Sequence, residues 1–161
     1  MNRRSFIATG GIAAIGAGLL GARAFTSANA AERFAVSFTE AEWRKRLTSQ
    51  QFAVLRQEST ERPGSSPLNR EKRKGAYACA GCGLPVYSSR AKFESGTGWP
   101  SFWQALPNAV ATKTDYAIGL PRTEVHCRRC GGHLGHIFDD GPRPTGKRHC
   151  INGVALIFRP A

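Results

Sequence analysis

The chain has 161 residues, 41% of them hydrophobic and 21% charged, with 23 basic against 11 acidic side chains for a formal net charge of +12. This length and apolar content fit one folded domain and exclude a multidomain or low-complexity polypeptide. The positive charge suits nucleic acid or an anionic membrane, but the chain's first residues point to export, away from cellular nucleic acid, and favour a solvated basic surface.

Met1-Asn2-Arg3-Arg4-Ser5-Phe6-Ile7 is a twin-arginine start, followed by a Gly/Ala-rich apolar stretch from Phe6 to Leu20 and an A-x-A cleavage signal at Ala28-Asn29-Ala30. The apolar stretch is shorter than the ~20 residues needed to span a bilayer, and no later segment could span one. Residues 1–30 are therefore expected to be a signal peptide and 31–161 a single domain. That domain would be exported by the twin-arginine route to the periplasm, with no membrane association after cleavage. Losing Arg3, Arg4 and Arg23 takes the charge from +12 to +9. Twin-arginine export carries folded chains, which suits a protein that takes up a metal before it crosses.

Thr39 and Glu42 form a capping box with Phe38 and Trp43 at staple positions, predicting a helix from there. A second short helix is predicted over Ser49 to Arg56. Glu61 to Lys74, with Pro63, Gly64, Ser65, Ser66 and Pro67, reads as a polar surface loop. From Gly75 onward the chain breaks into short β-type runs between turn residues: Ala76–Ala78, Pro85–Tyr87, Ala109–Lys113, Thr123–His126, Ile137–Phe138, Arg148–Ile151 and Val154–Phe158. The prediction is a mainly β fold with short N-terminal helices.

Four of the five cysteines form two pairs, Cys79-x-x-Cys82 and Cys127-x-x-Cys130, each followed by a glycine that permits a tight knuckle. Two such pairs brought together supply four thiolates, a closed tetrahedral set that holds a structural zinc without an open position for chemistry. Two disulfides are the alternative in an exported protein. A second alternative is three cysteines with His126, His133 or His136.

Cys150 stands apart, in Arg148-His149-Cys150-Ile151-Asn152. On a strand, alternation puts Arg148, Cys150 and Asn152 on one face and His149 and Ile151 on the other. A guanidinium beside the thiol would depress its pKa, and a carboxamide could hold a bound polar group. Gly131 to Asp140 places His133 and His136 three apart in what reads as a glycine-rich turn, able to supply protons near neutral pH or else to ligate a metal. Trp99, between Gly98 and Pro100, can present a rigid aromatic wall to a small apolar group, whereas Trp103 reads as a core residue.

These motifs together resemble the methionine sulfoxide reductase B family, the reductases of the R epimer of methionine sulfoxide. The resemblance covers nearly all of Thr39 to Phe158. It rests on Lys92-Phe93-Glu94-Ser95-Gly96-Thr97-Gly98-Trp99-Pro100-Ser101-Phe102, on Arg122-Thr123-Glu124-Val125, on the run from Cys130 through His133-Leu134-Gly135-His136-Ile137-Phe138 to Pro142, and on Arg148 to Asn152. It implies two antiparallel sheets forming a small barrel-like body, stapled by one structural zinc on Cys79, Cys82, Cys127 and Cys130. It implies that Cys150 attacks the sulfoxide sulfur and becomes a sulfenic acid, that His133 and His136 orient and protonate the sulfoxide oxygen, that Asn152 and Arg148 shape the polar side of the pocket, and that Trp99 with Phe138 holds the methyl group. The implied activity is repair of oxidised proteins and peptides, with a thioredoxin-like or other thiol as reductant. Many members carry a resolving cysteine where this chain has Thr97, so direct attack of the external thiol on the Cys150 sulfenic acid is expected.

Two other functions fit parts of the pattern. A zinc-ribbon module would use the knuckles and basic surface to hold nucleic acid and would have no need of Cys150. A thiol–disulfide oxidoreductase would use one CxxC as its redox pair.

Overall fold

The structure, a computed structural model, describes residues 33–161. The leader expected over residues 1–30 lies outside them. Two helices come first, α1 (Glu40–Arg46) and α2 (Ser49–Gln57), followed by nine strands. These are β1 (Gly75–Cys79), β2 (Pro85–Ser88), β3 (Lys92–Phe93), β4 (Ser101–Phe102), β5 (Val110–Asp115), β6 (Arg122–Cys127), β7 (His133–Phe138), β8 (Arg148–Ile151) and β9 (Leu156–Pro160). Helix α1 begins at the predicted capping box: the Glu42 carboxylate accepts from the Thr39 amide at 2.8 Å, and the Thr39 hydroxyl accepts from the Glu42 amide. Phe38 and Trp43 meet edge to face at 5.0 Å. Thr48 and Gln51 repeat the device at α2, which buries Phe52, Val54 and Leu55.

The strands form a three-stranded sheet, β2-β1-β9, and a six-stranded sheet, β3-β4-β8-β7-β6-β5, with antiparallel pairing throughout. Among the described residues no strand of one sheet pairs with a strand of the other, so the two sheets do not close into the barrel-like body that the resemblance implies. They pack through aromatic side chains instead. Tyr77 and Tyr87, opposite each other on β1 and β2, close on Phe102 of β4, Tyr87 stacked at 4.4 Å and Tyr77 edge-on at 4.9 Å. Such contacts contribute about 1 kcal/mol each beyond the area they bury.

Four strands differ from the expectation. The run predicted as Ile137–Phe138 extends back to His133, because β7 is paired on both sides and Gly135 lets β8 approach: a Cβ there would lie 2.0 Å from the Cys150 carbonyl oxygen. The run predicted from Val154 begins at Leu156, since Gly153–Ala155 winds into a 3-10 turn with Asn152 as its N-cap. The two-residue strands β3 and β4 are too short to show in the sequence. The polar loop from Glu61 contains a 3-10 turn at Pro67–Arg70 and is tied to the segment before Trp99, with Gly64 N–H and Asn69 Nδ2 both donating to the Gly98 carbonyl at 2.7 and 2.9 Å. No helix among the described residues is long and apolar enough to cross a membrane.

Candidate active site and metal centre

The first CxxC lies where β1 turns into β2, and the second where β6 turns into β7. One pair therefore comes from each sheet. Each knuckle closes through a glycine amide onto the first cysteine's carbonyl, Gly83 to Cys79 and Gly131 to Cys127, both at 2.8 Å and both glycines at positive φ. The four sulfur atoms lie within 4.8 Å of one another, with Cys79 to Cys130 at 3.7 Å and Cys82 to Cys127 at 3.5 Å. Zinc–thiolate bonds of about 2.3 Å in a tetrahedron put sulfurs roughly 3.8 Å apart, so the cage fits that ion. A disulfide needs about 2.05 Å, and all five cysteines are unbridged. The cluster is made of the four cysteines, so the alternative with a histidine ligand does not describe it. The cage joins the two sheets, and β7 starts at His133, three residues past Cys130.

Register then assembles a row across the six-stranded sheet. Phe93 pairs with Ser101, Ser101 with Cys150, Cys150 with His136, His136 with Glu124 and Glu124 with Lys113. Directly paired residues point to the same face. Six residues separated by up to 57 positions in the chain thus share one surface. His149 and Ile151 point to the other face, where His149 Nδ1 meets the Tyr87 hydroxyl at 3.1 Å between the sheets.

Each histidine is held by a carboxylate to which the sequence motifs gave no role. His133 Nδ1 lies 2.9 Å from Glu124 Oε1, and His136 Nε2 lies 2.7 Å from Asp115 Oδ2. Glu124 is 2% exposed, and its other oxygen forms an ion pair with Lys113 at 2.9 Å. A charged carboxylate only accepts, so the hydrogen sits on His133 Nδ1, and Nε2 is buried with no hydrogen-bond partner among the described residues. Asp115 also takes the Ala117 amide and the Arg122 guanidinium, which with His136 hold its carboxyl well below the usual carboxylate range. Burial drives His133 down to about 4 and lowers His136 as well, although Asp115 opposes the second shift. Both rings are therefore neutral at pH 7, and they meet edge-on at 5.4 Å.

Burial raises the Cys150 thiol above its ordinary value, and the Thr97 hydroxyl and Arg148 guanidinium offset only part of that. The net shift is opposite to the depression predicted from Arg148 alone. The guanidinium is already engaged, bidentate on Asp140 at 2.8 Å and stacked over Phe138 at 4.4 Å. Thr97 Oγ1 lies 3.8 Å from Cys150 Sγ and continues into a hydroxyl chain through Ser95, at 2.9 Å, to Ser101, at 2.7 Å.

Asn152 lies one residue past the end of β8, in backbone that is still extended, and is 3% exposed. Its Nδ2 donates to the Leu134 carbonyl at 3.1 Å and its Oδ1 accepts the Glu61 amide at 2.9 Å, so its carboxamide is spent on the frame. Trp99 is half-buried, its indole N–H donating to the Glu61 carbonyl at 3.1 Å, and Trp103 packs against the core. Glu61 and Asp115 fall in no motif, and each is a single polar residue with no local pattern to mark it; Glu124 and Asp140 lie inside the motifs but were given no role there, and Thr97 was noted only as the place of a resolving cysteine.

The SelR domain matches residues 47–160. The chain is similar to proteins named "Peptide methionine sulfoxide reductase MsrB". In Methanosarcina barkeri the identity is 55% over 126 residues, covering 78% of this chain and 89% of that protein. In Leptospira interrogans it is 47% over 127 residues, covering 78% and 97%. In Thiobacillus denitrificans it is 50% over 123 residues, covering 76% and 93%. A nucleic-acid module has no use for the row around Cys150, and the gathering of both CxxC pairs into one four-sulfur cluster suits a metal better than a lone redox pair. With a domain match over most of its length and relatives near half identity, the chain belongs to the methionine sulfoxide reductase B family.

Proposed function

We propose that this protein reduces the R epimer of methionine sulfoxide in oxidised polypeptides, with Cys150 as nucleophile and an external thiol as reductant. The observation that carries the reading is the pairing of Cys150 with His136, beside the buried, unpartnered His133 Nε2. A neutral imidazole can take the thiol proton and pass it to the sulfoxide oxygen, a poor leaving group until protonated. Cys150 Sγ attacks the sulfoxide sulfur, the sulfur–oxygen bond breaks, and oxygen ends on Cys150 as a sulfenic acid while the thioether departs. The sulfoxide gains the two electrons that the thiol loses. An external thiol then displaces water from the sulfenic acid to form a mixed disulfide, and a second thiol frees Cys150. Thr97 cannot form that disulfide, so the reductant meets Cys150 directly. Trp99 and Phe138 would hold the methyl group, with Arg148 fixed by Asp140 at the polar side. Cys79, Cys82, Cys127 and Cys130 would hold one structural zinc, which contributes a rigid joint and no reaction step. The same proposal places the mature protein in the periplasm after twin-arginine export, acting on oxidised proteins with a thioredoxin-like or other thiol and not on nucleic acid.

The test is turnover of separated R and S epimers of one oxidised methionine peptide with dithiothreitol. Consumption of R alone is the expected result; equal consumption of both, or none, would sink the reading.

The pH profile checks the histidine's part. Because burial holds His133 at about 4, the acid limb of kcat/KM is expected near pH 4, with activity lost as pH falls through that value. A limb near pH 6.5 would mean that the ring is not held neutral. In Glu124→Gln the amide can donate to Nδ1 and favours the wrong tautomer, so kcat should fall by about 100-fold at pH 7.

A further inference from the structure

Glu61 sits at the start of the polar loop, yet four hydrogen bonds from this one residue connect the segments around the reactive thiol. Its carbonyl accepts the Trp99 indole N–H at 3.1 Å, and its amide donates to Asn152 Oδ1 at 2.9 Å. Its carboxylate receives the Gly153 amide at 2.6 Å and the Val154 amide at 2.9 Å, two and three residues beyond Asn152's neighbour Ile151. Asn152 continues the connection to β7 through the Leu134 carbonyl, next to His133. Trp99 on one side and the chain leaving Cys150 on the other are thus referenced to one residue.

The loop packs closely at Gly98 and Gly153, where an added Cβ would meet Pro63 at 2.8 Å and Ser66 at 2.0 Å, but beside Glu61 an open pocket of about 650 Å³ is lined by Glu61, Ser66, Leu68, Val54 and Gly153. Two further ties of the loop, from Gly64 and Asn69, end on the Gly98 carbonyl and hold the backbone before Trp99, not its ring. The indole N–H has its partner in Glu61, and Glu61 is oriented by its bridge to the two amides.

We propose that Glu61 is the positioning residue that sets the distance between the Trp99 wall and Cys150, and so the preference of the pocket for a methyl over a larger alkyl sulfoxide. The proposal rests on the reading of Trp99 as the methyl-binding wall. Glu61 touches no substrate; it acts through the indole. Releasing the carboxylate bridge lets the wall move, which weakens methyl binding and admits one more carbon.

The experiment uses the zinc-loaded protein with saturating dithiothreitol and two peptides alike except for the R epimer of methionine sulfoxide or of ethionine sulfoxide. An apolar pocket discriminates one methylene by about 10-fold or more, and that preference is expected of the unsubstituted protein. In Glu61→Gln the preference should fall to within about 3-fold, through a higher KM for the methyl substrate with kcat nearly kept. Glu61→Asp keeps the charge but is one carbon short of both amides, and should fall in the same direction; it answers the question if the amide variant does not fold. Trp99→Phe removes the indole N–H, so adding Glu61→Gln to it should change the preference no further. A purely structural Glu61 would lower the unfolding midpoint and leave the preference alone. An unchanged preference in a folded, active Glu61 variant, or additivity with Trp99→Phe, overturns the proposal by itself. Absence of turnover by the unsubstituted protein overturns the reductase reading and this proposal with it.

Discussion

Cys150→Ser is expected to abolish sulfoxide reduction, by on the order of 10⁴-fold or more, because the reaction has no other thiol to receive the oxygen. The four remaining cysteines form the cage that joins the sheets and lie apart from the row that carries Cys150. A serine hydroxyl is a hard nucleophile that stays protonated, unsuited to attack at sulfur. The substitution is nearly isosteric, so zinc content and the unfolding midpoint should be unchanged. A second readout separates chemistry from regeneration. Without any reductant, the unsubstituted protein should release one methionine per chain and acquire one sulfenic acid, and the variant should release none. Retained multiple turnover in Cys150→Ser would remove Cys150 from the mechanism altogether.

Removing the metal is expected to unfold the domain, not merely slow the enzyme. Structural zinc in such sites binds with an apparent ~10–16 kcal/mol, comparable with or larger than the ~5–15 kcal/mol net stability of a whole domain. Here the four ligands come in pairs from two sheets that share no hydrogen-bonded strands, so the joint between the sheets would rest on side-chain contacts such as those of Tyr77 and Tyr87 with Phe102 and of Tyr87 with His149. Cys127→Ser, or chelation on warming, should abolish the cooperative transition and the activity together. The sheet signature and the activity surviving in a zinc-free protein would refute the joint. Cys79→Ser that stays folded but inactive would instead favour a CxxC redox pair.

Much of this could be read along the chain because the relevant signals are local. The helix at Glu40 follows from Thr39 and Glu42 satisfying each other's backbone partners within one turn. The four-cysteine cage is legible because each knuckle takes its two thiolates from cysteines with two residues between them, whatever the rest of the fold does. Cys150 stood out because four cysteines account for a metal and one is left over. His133 and His136 stood out by spacing, although a strand and not a glycine-rich turn carries them.

What the sequence determined by itself is the chemistry available: four thiolates for a metal, one thiol to react, two imidazoles and an indole to surround it. The tertiary structure decided which side chains that chemistry meets and in what protonation state. Strand register, a property of pairs of segments, placed Cys150 against His136 and His136 against Glu124. Burial, a property of the whole packed body, raised the thiol and lowered His133, reversing the expectation that a neighbouring arginine would dominate. The fold tied the Asn152 carboxamide to the Leu134 carbonyl and the Glu61 amide, and a loop that looks featureless in sequence brought Glu61 to Trp99. Single acidic residues leave no periodic mark, and their partners lie up to 93 positions away, a separation across which only folding can act.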